Sequence, residues 1–498
     1  MGRKTNPFFI FLQILIFEMR LLKSTFILFV GTFATILLFY GNGFAQVSFL
    51  PYTAIPTGSW PEVTAIADLN NDGLNDVVLG TSYYFDSIND YKLFVFYQNA
   101  AGNLGTPIKY PYPHAGSLAA ITTGDFNNDG LKDVAIGYGD SIGIFFQNTS
   151  GTLNTVLSFY SGSPLYGIKA GDLNNDGLND IAVLHFQSIS LFYQNTSGGF
   201  IVDTLQGFSS GYREIEVGDV NNDNLDDIIF ISGISNSTII VYTQNAAGGF
   251  NNFLTYTPPV STFSQLKGIA IGDLNSDGRG DIVATGNGNS PYSRIIIWYQ
   301  DPISGLLQSP VVIPAYDVPE PVEVSDLNCD GKNEIIVCHG GWDAVSVFEQ
   351  DILSNINSYQ TFFIPYASHY EPEGLSVGDY NNDGKTDLAI ADYNSGLICL
   401  YGNNALSCNP SSVNNFVRNE KKVNTYPNPS DGKFIVQFNE DFSEKTIRIF
   451  DATGSIIYQK EKIKSAKQEI NLVAQPKGFY FIKVFYGDKI EVSKIVLQ

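Results

Sequence analysis

Apolar residues along this chain fall in short unbroken runs rather than at helical spacing. The clearest are DVVLG (76–80), DVAIG (133–137), DIAVL (180–184), DIIFI (227–231) and DLAIA (387–391). A run of that length with no polar alternation predicts a strand buried on both faces. A second apolar run follows and ends in a near-constant turn: LFVFYQNAAG (93–102), IGIFFQNTSG (142–151), ISLFYQNTSG (189–198), IIVYTQNAAG (239–248) and IIIWYQDPISG (295–305). Between a preceding strand and the first of these runs stands a polar nonapeptide. It occurs seven times, as DLNNDGLND (68–76), DFNNDGLKD (125–133), DLNNDGLND (172–180), DVNNDNLDD (219–227), DLNSDGRGD (273–281), DLNCDGKNE (326–334) and DYNNDGKTD (379–387). Successive starts are 57, 47, 47, 54, 53 and 53 residues apart, so one loop belongs to each unit of strand, polar loop, strand, loop, strand, turn and strand. Seven units of four antiparallel strands predict an all-β fold, a seven-bladed β-propeller over residues 46–408.

The polar loops carry the chemistry. Position 1 is Asp68, Asp125, Asp172, Asp219, Asp273, Asp326 and Asp379; position 3 is Asn70, Asn127, Asn174, Asn221, Asn275, Asn328 and Asn381. Position 5 is Asp72, Asp129, Asp176, Asp223, Asp277, Asp330 and Asp383, and position 9 is Asp76, Asp133, Asp180, Asp227, Asp281, Glu334 and Asp387. Clustered oxygen donors with a backbone carbonyl available at position 7 suit a hard, flexible-coordination cation, and Gly at position 6 permits the sharp turn. Calcium fits better than magnesium or zinc, giving an expectation of up to seven structural Ca2+ ions. An EF-hand would need a bidentate acid at position 12, where Leu79, Ile136, Val183, Phe230, Ala284, Val337 and Ile390 stand instead. Asn224 at position 6 of the fourth loop and Glu334 at position 9 of the sixth depart from the pattern and mark the weakest sites.

Composition sharpens this. The 498 residues carry a net charge of −22, but 46–420 holds 11 basic and 40 acidic residues while 421–498 holds 13 and 9. The seven loops alone contain 22 of the 50 acids, so the acidity speaks of metal more than of partners, and it disfavours nucleic acid. The change of sign marks a domain boundary, with 409–422 as a polar linker. At the other end, Arg20 and Lys23 lead into the apolar run Thr25–Tyr40 and then Gly43-Phe44-Ala45-Gln46. Residues 1–45 read as a signal peptide cleaved after Ala45, with Met19 as the true start; an uncleaved anchor is the alternative. No other stretch is apolar enough to cross a bilayer once the signal is removed.

The repeated loop and its flanking strands resemble the FG-GAP repeats of integrin α-chains and the related VCBS repeats of secreted bacterial proteins. That resemblance implies calcium ligands at positions 1, 3, 5 and 9 of all seven loops, on the face opposite the ligand. Residues 423–498, with Tyr426-Pro427-Asn428-Pro429-Ser430, Gly432, IRIFDATGSII (447–457), INL (470–472), GFYFIKV (478–484) and KIVLQ, resemble the type A sorting domain of the type IX secretion system. The alternation in IRIF and YFIKV predicts a small β-sandwich. The resemblance implies export through the type IX machinery and a secreted or outer-surface location; an accessory Ig-like or carbohydrate-binding sandwich is the alternative.

The remaining motifs weigh against catalysis. Arg279-Gly280-Asp281 is an RGD tripeptide whose Asp belongs to the fifth loop. His114, His185, His339 and His369 are read as surface or strand-end residues, and no nucleophile motif, HExxH or phosphate loop occurs. Cys329 and Cys338 lie too far apart along the chain to pair, while a bridge from Cys399 to Cys408 stays open. Six residues before each loop stand Glu62, Ala119, Tyr166, Arg213, Lys267, Glu320 and Glu373, which predicts an acidic arc from blades six, seven and one facing Arg213 and Lys267. Trp60, Tyr83, Tyr84, Tyr212, Tyr316, Trp342, Tyr370 and Tyr393 suit sugar or protein contacts at that mouth, or packing between blades. Val47–Ile55 matches the fourth-strand segment Ile108–Pro111 and is expected to close the ring as the outer strand of the seventh blade. The expected function is a binding or adhesion module for an extracellular glycan or protein, not an enzyme. The alternatives are an extracellular polysaccharide lyase or hydrolase on the same scaffold and a purely structural surface component.

Overall fold

The computed structural model describes residues 47–404 and 423–497, apart from residues 85, 87, 114–117, 209, 234–235, 252, 260–264, 342, 352–354, 367–372, 427–429, 439–444, 451–455 and 487–488. The signal peptide and linker readings lie outside the described residues. The chain divides into two compact units, with the division at Ser411 and Ser412.

Among the described residues, the first unit holds seven four-stranded antiparallel sheets. Blade 1 is typical: Pro61–Ala67, the polar loop, Asp76–Thr81, Lys92–Phe96 and Ile108–Pro111, paired in that order. The innermost strand of each sheet packs beside that of the next, from Pro61–Ala67 through Leu118–Gly124, Leu165–Gly171, Gly211–Gly218, Gln265–Gly272 and Pro319–Ser325 to Leu375–Gly378, which returns to Pro61–Ala67. The sheets therefore form a closed ring. Blade 7 has three strands from its own stretch of chain, and its outer strand is Thr53–Ile55, with Thr53 opposite Cys399 and Ile55 opposite Leu397. Phe49 adds a bridge to Gly402, so the N-terminal segment closes the ring.

The unbroken apolar second strands follow from this architecture. In blade 1, Val77 and Leu79 pack with Tyr380, Ala389 and Cys399 of blade 7, while Val78 packs with Ile121, Val134 and Ile136 of blade 2. Alternate side chains thus serve opposite blade interfaces, leaving no position for a polar residue. Each such side chain contributes about 1.5–3 kcal/mol by burial. Outer strands such as Ile108–Pro111 and Leu157–Tyr160 are largely exposed.

The second unit pairs a three-stranded sheet (Val423–Tyr426, Lys433–Phe438, Lys467–Asn471) with a four-stranded one (Ile456–Ile463, Lys445–Phe450, Gly478–Tyr486, Lys489–Leu497). Phe434, Val436 and Ile470 from the first meet Ile447, Ile449, Ile482 and Ile495 from the second in one core, a small β-sandwich. Among the described residues, no helix is long and apolar enough to cross a membrane.

Candidate metal centres

Each polar loop is wound by its own side chains around peptide N–H groups. In the first, Oδ1 of Asp68 accepts from the N–H of Asn70 (3.3 Å) and Asp72 (3.2 Å), and Oδ2 from Gly73 (2.8 Å). Asn70 Oδ1 accepts from Asp72 N–H at 2.9 Å, and Asp72 Oδ1 from Leu74 N–H at 2.9 Å. The bonds from position 6 to 1, from 5 to 3 and from 7 to 5 recur in all seven loops, as in the fourth, where Asn224 serves in place of Gly. Positions 1, 3 and 5 therefore turn towards the peptide N–H groups of their own loop in every repeat.

Position 4 was not anticipated as special, yet it adopts a left-handed backbone in every loop: Asn71 at φ 60°, Asn128, Asn175, Asn222, Ser276, Cys329 and Asn382. Asn tolerates this conformation better than most side chains, which accounts for its presence in five of the seven. The signal was in the sequence as that recurrence.

The acid at position 9 opens the second strand and is fully buried in six loops and nearly so in the sixth. Asp76 accepts from Leu69 N–H at 2.9 Å with one oxygen and from Gln98 N–H at 2.8 Å with the other. Burial raises Asp76, Asp133, Asp180, Asp227 and Asp281 to about 7 and Asp387 to about 8, against the lowering effect of those N–H bonds and with help from the acids at positions 5 and 1. Glu334, one methylene longer, reaches Leu327 N–H at 2.8 Å but turns its other oxygen to the Asn328 amide at 3.3 Å, and burial raises it to about 9. Position 9 thus ties loop to strand. Among the described residues no three acidic or histidine side chains converge tightly enough to chelate an ion by themselves. The donor chemistry of positions 1, 3 and 5, two carboxylates and an amide, fits a hard cation, although the Asp219 carboxylate of the fourth loop already accepts four N–H bonds.

Adjacent loops are latched. In blades 2, 3, 4 and 6, though not for Gln98 of blade 1 or Gln300 of blade 5, the Gln after the third strand donates from Nε2 to the position-1 carbonyl of the preceding loop and to the position-8 carbonyl of its own: Gln194 to Asp125 (2.7 Å) and Asn179 (3.1 Å), Gln244 to Asp172 (2.8 Å) and Asp226 (3.2 Å). Gln147 and Gln350 do the same. Position 8 adds a second tie, Asn75 Nδ2 donating to the Asp379 carbonyl at 3.0 Å across the closure of the ring. The near-constant turn after this Gln lies against the preceding loop: a Cβ on Gly248 would stand 2.2 Å from the Asn174 carbonyl. Gly280 of the RGD tripeptide approaches the Asp219 carbonyl in the same way, and Asp281 is fully buried, so that tripeptide faces its neighbouring loop.

The opposite ends of the strands differ from the expected arc. Lys267 sits 3.5 Å from Glu320 rather than facing it across the mouth, Glu62 accepts from the Tyr393 hydroxyl at 3.1 Å, and Glu373 reaches Lys169 of blade 3 at 3.7 Å. All three acids are buried, because the inner strands converge too closely to leave them at a rim. Nothing is described of the Arg213 or Tyr212 side chains. Trp60 stacks on Tyr393 (5.2 Å), joining blades 1 and 7, and meets Tyr84 at a tilt (4.9 Å), with Tyr83 and Tyr84 about half exposed. Tyr316 instead packs edge-on against His339 at 5.1 Å, and Trp342, Tyr370, His114 and His369 lie outside the described residues.

Two histidines are buried rather than superficial. His185 Nε2 pairs with the Ser190 hydroxyl at 3.0 Å and His339 Nε2 with Ser346 at 2.9 Å, while Nδ1 of each faces a backbone carbonyl. Burial lowers both, His339 to about 4, so these are neutral rings tying strand ends together inside the blade. The Ser partners lie on the next strand, which spacing alone did not bring out. Cys338 and Cys399 are free buried thiols, so the bridge left open at Cys399 does not form; Cys329 is disulfide-bonded.

The FG-GAP-like repeat family matches residues 125–183, 172–230 and 219–284, and the secretion system C-terminal sorting domain matches 424–498. Integrin alpha-3 of Mus musculus and that of Cricetulus griseus are each 33% identical over 79 residues, which is 15% of this chain and 8% of theirs. The chain thus matches less than a tenth of the length of those relatives. Among solved structures, BBS1N in complex with ARL6DN aligns with a TM-score of 0.49 at 12% identity, covering 73% of this chain and 98% of that one. An Agrocybe aegerita lectin that recognises non-reducing terminal N-acetylglucosamine aligns with a TM-score of 0.47 at 19% identity, covering 68% and 86%.

Proposed function

For a chain that carries FG-GAP-like repeats and ends in a type IX sorting domain, and so is secreted or held at the outer surface, we propose a calcium-stabilised binding module. Positions 1, 3 and 5 of each loop would hold the ion. The observation that carries this reading is the sevenfold stacking of an inward-turned acid–amide–acid set over a buried acid at position 9. Among the described residues, basic side chains stand against position 5 only in the fifth and seventh loops, Arg279 at 3.2 Å and Lys385 at 3.9 Å. A divalent ion supplies the missing positive charge and favours the ionised form of position 9, coupling calcium uptake to proton release near neutral pH.

The ligand is an extracellular glycan or protein, taken at the end of the ring opposite the acid loops, where Trp60 contacts Tyr84 and stacks on Tyr393, whose hydroxyl meets Glu62. Aromatic faces next to a carboxylate suit a sugar ring or a polar protein side chain. The protein performs no reaction in this reading: the two His–Ser pairs are sealed inside blades, away from any substrate. The test is a glycan and surface-protein array with calcium or chelator, accompanied by calorimetric melting. At tenfold excess over its dissociation constant each ion adds about 1.4 kcal/mol, so chelator should lower the melting temperature markedly. Identical melts with and without chelator would remove calcium from the account, and unchanged binding by Tyr84→Ala would place the ligand elsewhere.

A further inference from the structure

The four-stranded sheet of the second unit buries Ile447, Ile449, Ile482 and Val484 in the sandwich core. Side chains alternate along a strand, so Thr446, Arg448 and Phe450 lie with Phe481, Lys483 and Phe485 on the other face of that sheet. There the register sets Arg448 directly opposite Lys483, Phe450 opposite Phe481 and Thr446 opposite Phe485. Each cation covers a ring on the diagonal: the Arg448 guanidinium stands 5.0 Å from the centre of the Phe485 ring, and the Lys483 ammonium 5.5 Å from that of Phe450. Phe481 is 41% exposed, and Ile456 on the neighbouring edge strand 52%.

Like charges directly opposite one another weaken a strand pair. Among the described residues nothing offsets this pair: neither Arg448 nor Lys483 has a salt bridge, and the covered Nε of Arg448 donates no hydrogen bond. Gln459, opposite Arg448 on the edge strand, gives its amide to Glu461 at 2.7 Å. On the other side the register sets Val492 opposite Lys483 and Lys494 opposite Phe481, so that strand brings no acid to either position. Two unneutralised cations set among partly exposed rings break the local rules of a sheet surface, and such breaks gather at binding faces. The ligand that relieves them is an anion. Aromatic rings and Arg also carry most of the binding energy between proteins. Phe450 and Phe485 lie under the cations and are only partly exposed, so the face offers charge before apolar area. That order suits an acidic protein surface better than insertion into lipid, which needs a projecting apolar face. The match of this unit to a secretion system sorting domain points the same way.

We propose that this face of the second unit docks an acidic protein surface during export, with a carboxylate held between Arg448 and Lys483 and the apolar surroundings of that carboxylate seated on Phe481 and Ile456. The docking depends neither on calcium in the acid loops nor on the aromatic mouth of the propeller. Its test is to express the full chain in a bacterium with type IX export and to measure the fraction that reaches the outside of the cell. Arg448→Glu combined with Lys483→Glu should lower that fraction by about tenfold or more. Lys464→Glu, in the exposed connection before Lys467–Asn471, should leave it unchanged. Unchanged export of the double variant, or equal loss with Lys464→Glu, would overturn the proposal. Should the double variant fail to fold, the exposed Lys483 decides alone: export should follow charge, with Lys483→Arg equal to the natural chain, Lys483→Gln lower and Lys483→Glu lowest, at unchanged melting temperature. Export that tracks melting temperature and not charge would also overturn it. Sedimentation with phosphatidylglycerol vesicles tests the rival occupant. No binding is expected, and binding by the natural chain that Lys483→Glu abolishes would assign the face to lipid instead of protein.

Discussion

Replacing Gln194 with Met keeps the length of the side chain and removes its two hydrogen bonds, 2.7 Å to the Asp125 carbonyl and 3.1 Å to the Asn179 carbonyl. Gln194 is 2% exposed, so neither carbonyl gains a water in exchange without local opening. A buried acceptor left without its donor costs about 1–3 kcal/mol, and loss of Gln194 Oε1, which has no hydrogen-bond partner among the described residues, offsets part of the cost of two such acceptors, which puts Gln194→Met at about 2–3 kcal/mol. The ring supplies its own control. Gln300 ends the third strand of blade 5 in the same way and is 1% exposed, but its amide nitrogen and oxygen have no hydrogen-bond partner among the described residues. Gln300→Met should therefore be neutral or mildly stabilising, because it removes an unpaired buried amide. The two variants should separate by about 2 kcal/mol or more, roughly a thirtyfold difference in the unfolding equilibrium. Urea denaturation at fixed calcium reads this as a lower midpoint for Gln194→Met only. Equal midpoints would refute the idea that this Gln latches one blade to the previous loop.

Two further outcomes follow from particular side chains. His339 is held neutral by burial with its value lowered to about 4, against 6.5 when unfolded, so the unfolded chain binds more protons between those values. Stability should therefore fall as pH drops from about 6.5 towards 4, by up to about 3 kcal/mol from this residue, and melting curves of His339→Gln should lose that part of the slope; parallel curves would contradict it. Gly248 and Gly73 both have positive φ, but an added Cβ meets the Asn174 carbonyl at 2.2 Å in the first case and nothing within 4 Å in the second. Gly73→Ala should cost about 1–2 kcal/mol in backbone strain alone, and Gly248→Ala at least about 1 kcal/mol more from overpacking, measured by the same urea midpoints.

The number of sheets and the place of the acid loops were legible because both depend on local pattern. A run such as DVVLG has to be covered on two sides, and a loop such as DLNNDGLND winds around its own side chains, so neither needs knowledge of distant residues. The same holds for the outer strand of blade 7, which shows itself by matching Ile108–Pro111. What the sequence did not disclose is set by which residues the ring brings together. Gln194 is visible as a recurring letter, but its partner belongs to a loop in the previous blade, 69 residues earlier. Lys169 looks like an isolated charge on a strand until Glu216 and Glu373 arrive from other blades. His185 and His339 sit at strand ends as read, yet the neighbouring strand covers them and offers a serine. The position-9 acids were read as ligands with the other three; what the spacing did not show is that six of them also give each oxygen to a peptide N–H, seating the second strand.

The hydrogen bond from Ser48 N–H to Asn404 Oδ1 spans 356 residues. Together with the pairing of Thr53–Ile55 on Gly396–Leu400, it makes the ring a clasp whose two halves lie at opposite ends of the propeller sequence. A chain that lacks its last blade has nowhere to seat its first strand, so both partners stay as unpaired edges. Bringing the halves together closes the longest loop in the domain, and contacts of such separation are slow to form. Completion of the circle is thus a test of integrity that only a chain with both ends of the propeller can pass. Once passed, a cut beyond Asn404 that frees the C-terminal domain leaves every bond of the clasp in place.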